Sequence, residues 1–268
     1  MADAPIRRTS VRRAVRDYGG HTATTWGIAV ETPIEIAIDG APWTVMMATP
    51  ADLEDLATGL VLTERVVDRP DAIVALTVAN YLDGVAVDVR IAAGSPNAST
   101  QRRRSLEGRV GCGLCGVEAL SGLPRPAAAD QPRPRIDARA VHDALARLAQ
   151  MQPLNRTTRS VHAAAWCHAD GTIDVVREDV GRHNALDKVV GALARAGRLS
   201  EPGFVVMTSR CSFELVYKAA ATGAAALATV SAPTSLALEW STRLGLPLLC
   251  AGNDGTIVAF PADSSHAP

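Results

Sequence analysis

Residues 172–196 read TIDVVREDVGRHNALDKVVGALARA and pass from one structural rhythm to another inside a single polar turn. Thr172 to Arg177 has the short apolar run of a strand, entered from a hairpin turn at Asp170-Gly171. From His183 to Ala196 the apolar residues recur at helical spacing, with Leu186, Val189, Val190 and Leu193 on one face and Gly197 as the stop. A strand that runs straight into a helix is the unit of an α/β layer.

The same unit repeats downstream. Gly203 to Met207 predicts a strand and Ser212 to Thr222 a helix; Ala226 to Val230 predicts a strand, and Pro233 opens a helix to Gly245. Leu246 to Cys250 and Thr256 to Phe260 close the pattern. Upstream, Asp137 caps a helix bearing Val141, Ala144, Leu145 and Leu148, followed by a strand over Ser160 to Cys167. The order α-β-β-α-β-α-β-α-β-β predicts a three-layer α/β/α sandwich over residues 137–262, with a mostly parallel sheet.

The N-terminal half has a different rhythm. Ile34, Ile36 and Ile38 alternate with polar or small residues, and Asp39-Gly40 turns the chain into Trp43 to Thr49. Asp52 is placed to cap a helix with Leu53, Leu56, Ala57 and Leu60 inward, and a second hairpin joins Ile73–Ala79 to Val85–Ile91 across Asp83-Gly84. This predicts a smaller α+β domain over 21–123, preceded by a disordered tail at 1–20 and followed by a proline-marked linker at 124–136.

Composition bounds the function. The chain has 268 residues, 47% hydrophobic and 4% aromatic, so it packs mainly through small aliphatic side chains. A net charge of −1 argues against a general nucleic-acid binder, despite arginines at 7, 8, 12, 13 and 16 and at 102–104. No apolar run reaches the ~18 residues of a membrane span, and no secretory signal is visible, so a cytoplasmic location with reduced thiols is expected. Five cysteines make a poor disulfide framework and a better chemical site.

Two of those thiols lie in GCGLCG, residues 111–116, after a polar basic stretch. Cys112 and Cys115 can share a disulfide, hold a metal or lower each other's pKa, and the glycines allow close approach. Zinc would need two further ligands, and no second close pair or neighbouring histidine supplies them. Cys167 and Cys250 fall in strand patterns and read as buried small hydrophobes. His21, His142, His162 and His168 show no ligand spacing and receive no role.

Polar turns at the strand ends form the other constellation. Gly181, Arg182, His183 and Asn184 offer close approach, a guanidinium, a proton carrier and a helix N-terminus; the plain alternative is a capped helix with surface charges. Ser209, Arg210 and Ser212 occupy the next strand-to-helix turn, where capping alone would also explain the hydroxyls. Lys218 and Glu214 have the spacing of an i,i+4 pair. Ser231 and Thr234 mark a third turn. Ala251-Gly252-Asn253-Asp254-Gly255-Thr256 is a tight turn suited equally to a hairpin and to ligand contact.

With these residues in place, the sequence resembles the FdhD family of accessory sulfur carriers needed for active formate dehydrogenase. GCGLCG at 111–116, EDVGRHNALDKVVG at 178–191, TSRCSFELVYK at 208–218 and SAPTSLA at 231–237 carry the resemblance, which spans about residues 24–260. It implies a C-terminal domain like that of cytidine deaminases without their zinc site, a homodimer, and no permanently bound metal. It also implies a sulfur relay: a cysteine desulfurase loads Cys112 with a persulfide, Cys115 assists or resolves it, and the sulfur passes to the molybdenum or tungsten bis(molybdopterin guanine dinucleotide) cofactor before insertion into formate dehydrogenase. The strand-end turns would hold that cofactor, and residues 251–256 match the loop used for its guanine nucleotide. The family usually has basic residues in that loop, and this chain has none; Cys211 stands where serine is more common. Two other readings compete: a cofactor-binding chaperone whose cysteines are dispensable, and a small thiol redox or zinc protein.

Overall fold

The structure, a computed structural model, describes residues 6–14, 21–92, 133–252 and 254–262. Its elements in chain order are β1 (Ile6–Ala14), β2 (His21–Ala29), β3 (Thr32–Ile38), β4 (Ala41–Ala48), α1 (Leu53–Thr63), β5 (Ile73–Tyr81), β6 (Gly84–Ile91), α2 (Ala138–Gln150), α3 (Pro153–Thr158), β7 (His162–Cys167), β8 (Ile173–Asp179), α4 (Arg182–Arg195), β9 (Phe204–Met207), α5 (Phe213–Ala221), β10 (Leu227–Thr229), α6 (Ser235–Leu244), β11 (Leu248–Ala251) and β12 (Ile257–Phe260).

A six-stranded sheet in the order β12-β11-β10-β9-β7-β8 forms the larger layer. It is mixed rather than mostly parallel: β9, β10 and β11 run parallel, but β7 is antiparallel to both β8 and β9, and β12 to β11. The reason is the Asp170-Gly171 hairpin, with Gly171 at φ 84, which reverses the chain between β7 and β8 before the first helix crossover. Helices cover both faces. On one, Leu186, Val189 and Leu193 of α4, Leu215 and Val216 of α5 and Trp240 of α6 pack on Trp166, Val205, Met207 and Leu227. On the other, Val141, Ala144 and Leu148 of α2 pack on Ala163, Ala165, Phe204, Val206 and Ala228. Alternate residues of β7 and β9 thus serve opposite cores, as the pleat requires.

The smaller sheet has the order β4-β3-β6-β5. Ile34 and Ile36 of β3 and Val87 and Val89 of β6 sit fully buried beneath Leu56 and Val61 of α1. Asp52 does not cap α1 with its side chain. It lies in left-handed backbone at φ 53, and its carboxylate is 3.7 Å from Arg177 Nε instead. Asp137 does cap α2, accepting the Arg139 N–H at 2.7 Å.

Residues 6–14, expected as part of a disordered tail, form β1, which pairs antiparallel with β2 along its whole length as a separate two-stranded ribbon. Nine residues of regular pairing need a β-pattern partner, and Thr22, Thr24, Thr25 and Trp26 of β2 provide one.

The two sheets meet through α1 and α4. A Cβ on Gly59 would stand 1.7 Å from the Asp187 carbonyl oxygen, and one on Gly191 would stand 1.8 Å from that of Asp55. Only glycine permits backbones this close. Charged bonds tie the same seam. Asp55, buried, accepts Arg177 Nη2 at 2.7 Å and Arg195 Nη1 at 2.6 Å.

Candidate functional site

The register Met207↔Thr229↔Cys250, with Ala164↔Met207 and His162↔Asp179, aligns the ends of β8, β9, β10 and β11 on one edge of the large sheet. The turns at 180–181, 208–212, 230–234 and 252–256 therefore share that edge, which is where open α/β sheets bind ligands. An isolated bridge Cys211↔Pro233 and the Thr234 N–H to Cys211 O bond of 3.1 Å lash two of the turns together.

A cavity of about 240 Å³ opens at the β8–α4 turn, between the two sheets. Gly181, Arg182, His183 and Asn184 line it, as do His162, Asp187 and Lys218, with Glu31, Met46, Met47, Leu60 and Glu64 from the N-terminal half. Of the expected site residues, only the 181–184 group reaches this cavity; Ser209, Arg210, Ser212, Ser231, Thr234 and the 251–256 turn do not line it.

Several of the expected ligand groups are already engaged. Asp179 is fully buried, and its Oδ1 accepts the Gly181 N–H at 2.8 Å and the Asn184 amide at 3.0 Å. The same Asn184 amide donates to Met47 O at 2.9 Å. Asp179 Oδ2 takes the Thr49 N–H at 3.0 Å and Lys188 Nζ at 2.7 Å. A resident carboxylate thus answers part of the positive field at the start of α4. Asn184 thus ties the end of β4 to α4, and the Gly181 N–H closes onto Asp179, while both residues still line the cavity.

Arg182 and His183 retain capacity for a ligand. His183 is 4% exposed, and its Nε2 has no hydrogen-bond partner among the described residues. The nearest carboxylate, Glu214 Oε2, is 3.9 Å away. Burial first, then the Lys218, Arg182 and His162 charges, push its pKa down to about 3. His183 is therefore neutral near pH 7 and can offer either a donor or an acceptor nitrogen. His162 is also lowered, by burial and Arg182.

Lys218 does not pair with Glu214. Its fully buried ammonium donates to Asp187 Oδ1 and Oδ2 at 2.9 and 2.8 Å and to Thr63 Oγ1 at 2.9 Å, with Glu64 Oε1 at 3.4 Å. Burial works to discharge the ammonium, but the Asp187 and Glu64 carboxylates outweigh it and raise its pKa. The i,i+4 spacing was misleading because α5 turns this face into the seam, where charges from α1 and α4 are closer.

In the next turn Ser209 is buried and donates to Arg210 O at 3.1 Å, Arg210 is exposed, and the Ser212 hydroxyl is buried without a partner among the described residues. Ser212 is the N-cap of α5 but makes no side-chain cap bond, whereas Thr234 caps α6 through the Ala237 N–H at 3.3 Å. Ser231 is half-buried, and its carbonyl accepts the Thr229 hydroxyl at 2.7 Å. At the β11–β12 turn, Gly252 N–H donates to Thr256 O at 2.8 Å, and Asp254 Oδ1 accepts the Thr256 N–H at 3.1 Å and hydroxyl at 2.6 Å. That is a self-contained hairpin turn with its carboxylate committed. Asn253, like Cys112 and Cys115, lies outside the described residues.

Cys167, Cys211 and Cys250 are buried free thiols. Burial pushes Cys167 and Cys211 up to about 12 and raises Cys250 as well. Cys211, 1% exposed, is thus a poor nucleophile in its buried state. Among the described residues no group of three His, Cys, Asp or Glu side chains is placed to hold a metal, and no helix is long and apolar enough to cross a membrane.

Sequence reasoning missed His162, Asp187, Lys218, Glu31 and Glu64 as cavity residues. Their contribution comes from packing between segments more than 100 residues apart. For Asp187 and Lys218 the one available signal was a charged residue among the apolar positions of α4 and α5; His162, Glu31 and Glu64 carried none.

Comparison with known proteins extends this picture. The sulfur carrier protein FdhD of Xanthomonas campestris pv. campestris is 44% identical over 258 residues, covering 96% of this chain and 92% of the relative. The sulfur carrier protein FdhD of Variovorax paradoxus is 40% identical, covering 97% of this chain and 96% of the relative. A crystal structure from Desulfotalea psychrophila, assigned as a formate dehydrogenase accessory protein, superposes with a TM-score of 0.71 over 96% of this chain and 97% of that one, at 23% identity, and shows the same fold. The model of the FdhD/NarQ family matches residues 29–264, and this chain belongs to that family.

Proposed function

We propose that this protein is a sulfur carrier that serves formate dehydrogenase, taking sulfur from a cysteine desulfurase at Cys112 and delivering it to the bis(molybdopterin guanine dinucleotide) cofactor. One observation carries the reading: the three described thiols are buried with raised pKa, so thiol chemistry falls to Cys112 and Cys115. The names of the curated relatives support the same activity.

The chemistry balances simply. The Cys112 thiolate attacks the outer sulfur of the donor's persulfide, the donor S–S bond breaks, and the donor leaves as a thiolate. Delivery as sulfide needs two electrons. Cys115 supplies them by attacking Cys112 Sγ, which forms a Cys112–Cys115 disulfide and releases hydrosulfide; a cellular dithiol then restores both thiols.

The cofactor is cargo here, and the sheet edge is its proposed resting place. A cavity of about 240 Å³ is smaller than ordinary pockets for whole cofactors, roughly 300–1,000 Å³. It would take one polar end of the molecule against Arg182 and His183. The remainder would lie along the edge over Arg210, Ser231 and Thr234, in an arrangement like that of cytidine deaminases.

Incubation with a cysteine desulfurase and cysteine should add about 32 Da, one sulfur atom, to the peptide bearing Cys112. A Cys112→Ala protein that still gains sulfur and still supports formate dehydrogenase would overturn the relay. Retained guanine nucleotide binding and enzyme maturation by a Cys112/Cys115 double alanine variant would favour a chaperone instead.

A further inference from the structure

One face of the four-stranded sheet is covered by α1; the other carries no helix or strand among the described residues. Its floor is Ala37, Ala79 and Ala86, and an open groove of about 550 Å³ runs across it. Glu35, Asp39 and Asp88 line the groove, Asp83 lines its continuation past exposed Tyr81, and Arg90 is the one basic residue lining either part. Two carboxylates are fixed in place: Asp88 accepts the Gly40 N–H at 2.8 Å and Asp39 accepts the Ile91 N–H at 3.1 Å. Glu35 and Asp83 have no partner among the described residues. Four carboxylates against one guanidinium make a face that attracts a cationic, extended occupant and repels a copy of itself.

The chain carries such an element. β1 holds Arg7, Arg8, Arg12 and Arg13, and neither β1 nor β2 contains an acidic residue. A lone two-stranded ribbon is marginal in water and needs a surface to lie on. Within its own chain the described contacts of the ribbon lie on the α3 side, where Gly27 meets Thr157 and Arg159 sits over the Trp26 ring at 5.9 Å. A strand of nine residues spans about 30 Å, enough to cross four strands spaced roughly 5 Å apart.

We infer that the β1–β2 ribbon is an exchange arm, and that in a dimer each copy lays its arginine-bearing arm across the acidic sheet face of the other. The exchange is reciprocal, so a two-fold pair closes with two identical contacts and leaves no open end.

Sedimentation velocity on the full chain tests this. Wild type should dimerise, and dimerisation should weaken as salt is raised. Arg8→Glu/Arg12→Glu in the arm, or Glu35→Lys/Asp83→Lys on the face, should each raise the dimer dissociation constant at least about tenfold. Thermal unfolding checks that both variants remain folded. Mixing the two variants should restore dimers, because the acidic arm of one then meets the basic face of the other while the native arm and face also pair. A monomeric wild type would overturn the proposal and leave the face to residues 93–132 of the same chain or to a different protein. So would a dimer indifferent to both variants, or a mixture that fails to associate.

Discussion

Replacing Gly59 by alanine should be among the most damaging single-methyl changes in this protein. The added Cβ would lie 1.7 Å from the Asp187 carbonyl oxygen, half the 3.4 Å at which ordinary contact begins. That oxygen belongs to helical backbone and cannot swing aside, so α1 and α4 must part. Helix propensity favours alanine by about 1 kcal/mol. Overpacking of this kind costs about 1–3 kcal/mol. Parting the helices also stretches the Thr63–Asp187 bond of 2.7 Å and the Asp55–Arg195 bond of 2.6 Å, and bonds to charged groups contribute about 1.5–3 kcal/mol each. The net expectation is destabilisation by about 3 kcal/mol or more, and Gly191→Ala should behave alike. Urea unfolding followed by circular dichroism reads the effect as a lower midpoint with an unchanged slope. For a chain of this size the melting temperature should fall by roughly 6–12 °C. A Gly59→Ala protein within about 1 kcal/mol of wild type would refute the backbone-contact account of the seam.

Other consequences follow from the buried groups. Lys218→Met leaves Asp187, 1% exposed, without its ammonium and should cost about 3–5 kcal/mol, and Lys218→Met/Asp187→Leu should recover more than half of it in the same unfolding assay. His183 is held at about 3 when folded against 6.5 ordinarily, so the unfolded chain binds the extra proton between those values. Its contribution is therefore intact above pH 6.5 and shrinks as pH falls, by roughly 3 kcal/mol at pH 4.5; unfolding free energies should depend less on pH in His183→Asn, and an identical slope would contradict the assignment. An aromatic disulfide reagent should titrate at most two thiols quickly in the native protein and all five after denaturation under reducing pretreatment; a third fast thiol would contradict the burial of Cys167, Cys211 and Cys250.

Much of the fold was legible because local pattern and tertiary position agree. The alternation of Ile34, Ile36 and Ile38 placed β3 over its core, and Leu186, Val189 and Leu193 placed the buried face of α4. Strand direction was less legible. The hairpin into β8 was visible, but nothing local says that β7 inserts between β8 and β9. The strand-end turns were found from their residue types, yet their chemistry was not. Asn184 and Gly181 carry ligand-like groups that Asp179 consumes, and Glu178, read as part of a polar site, caps α3 by accepting the Leu154 and Asn155 N–H groups. Such partners are set by packing across long sequence separations, where periodicity carries no information. The ordered ribbon at 6–14 was missed because arginine-rich strands lack the alternation used to find strands.

The seam between α1 and α4 has a mechanical meaning. Two helices in glycine-to-glycine contact, stitched by carboxylates that have no water to fall back on, cannot slide or hinge without stranding charge in an apolar interior. The two halves are therefore coupled as one chassis, and a displacement of either must be carried by the other.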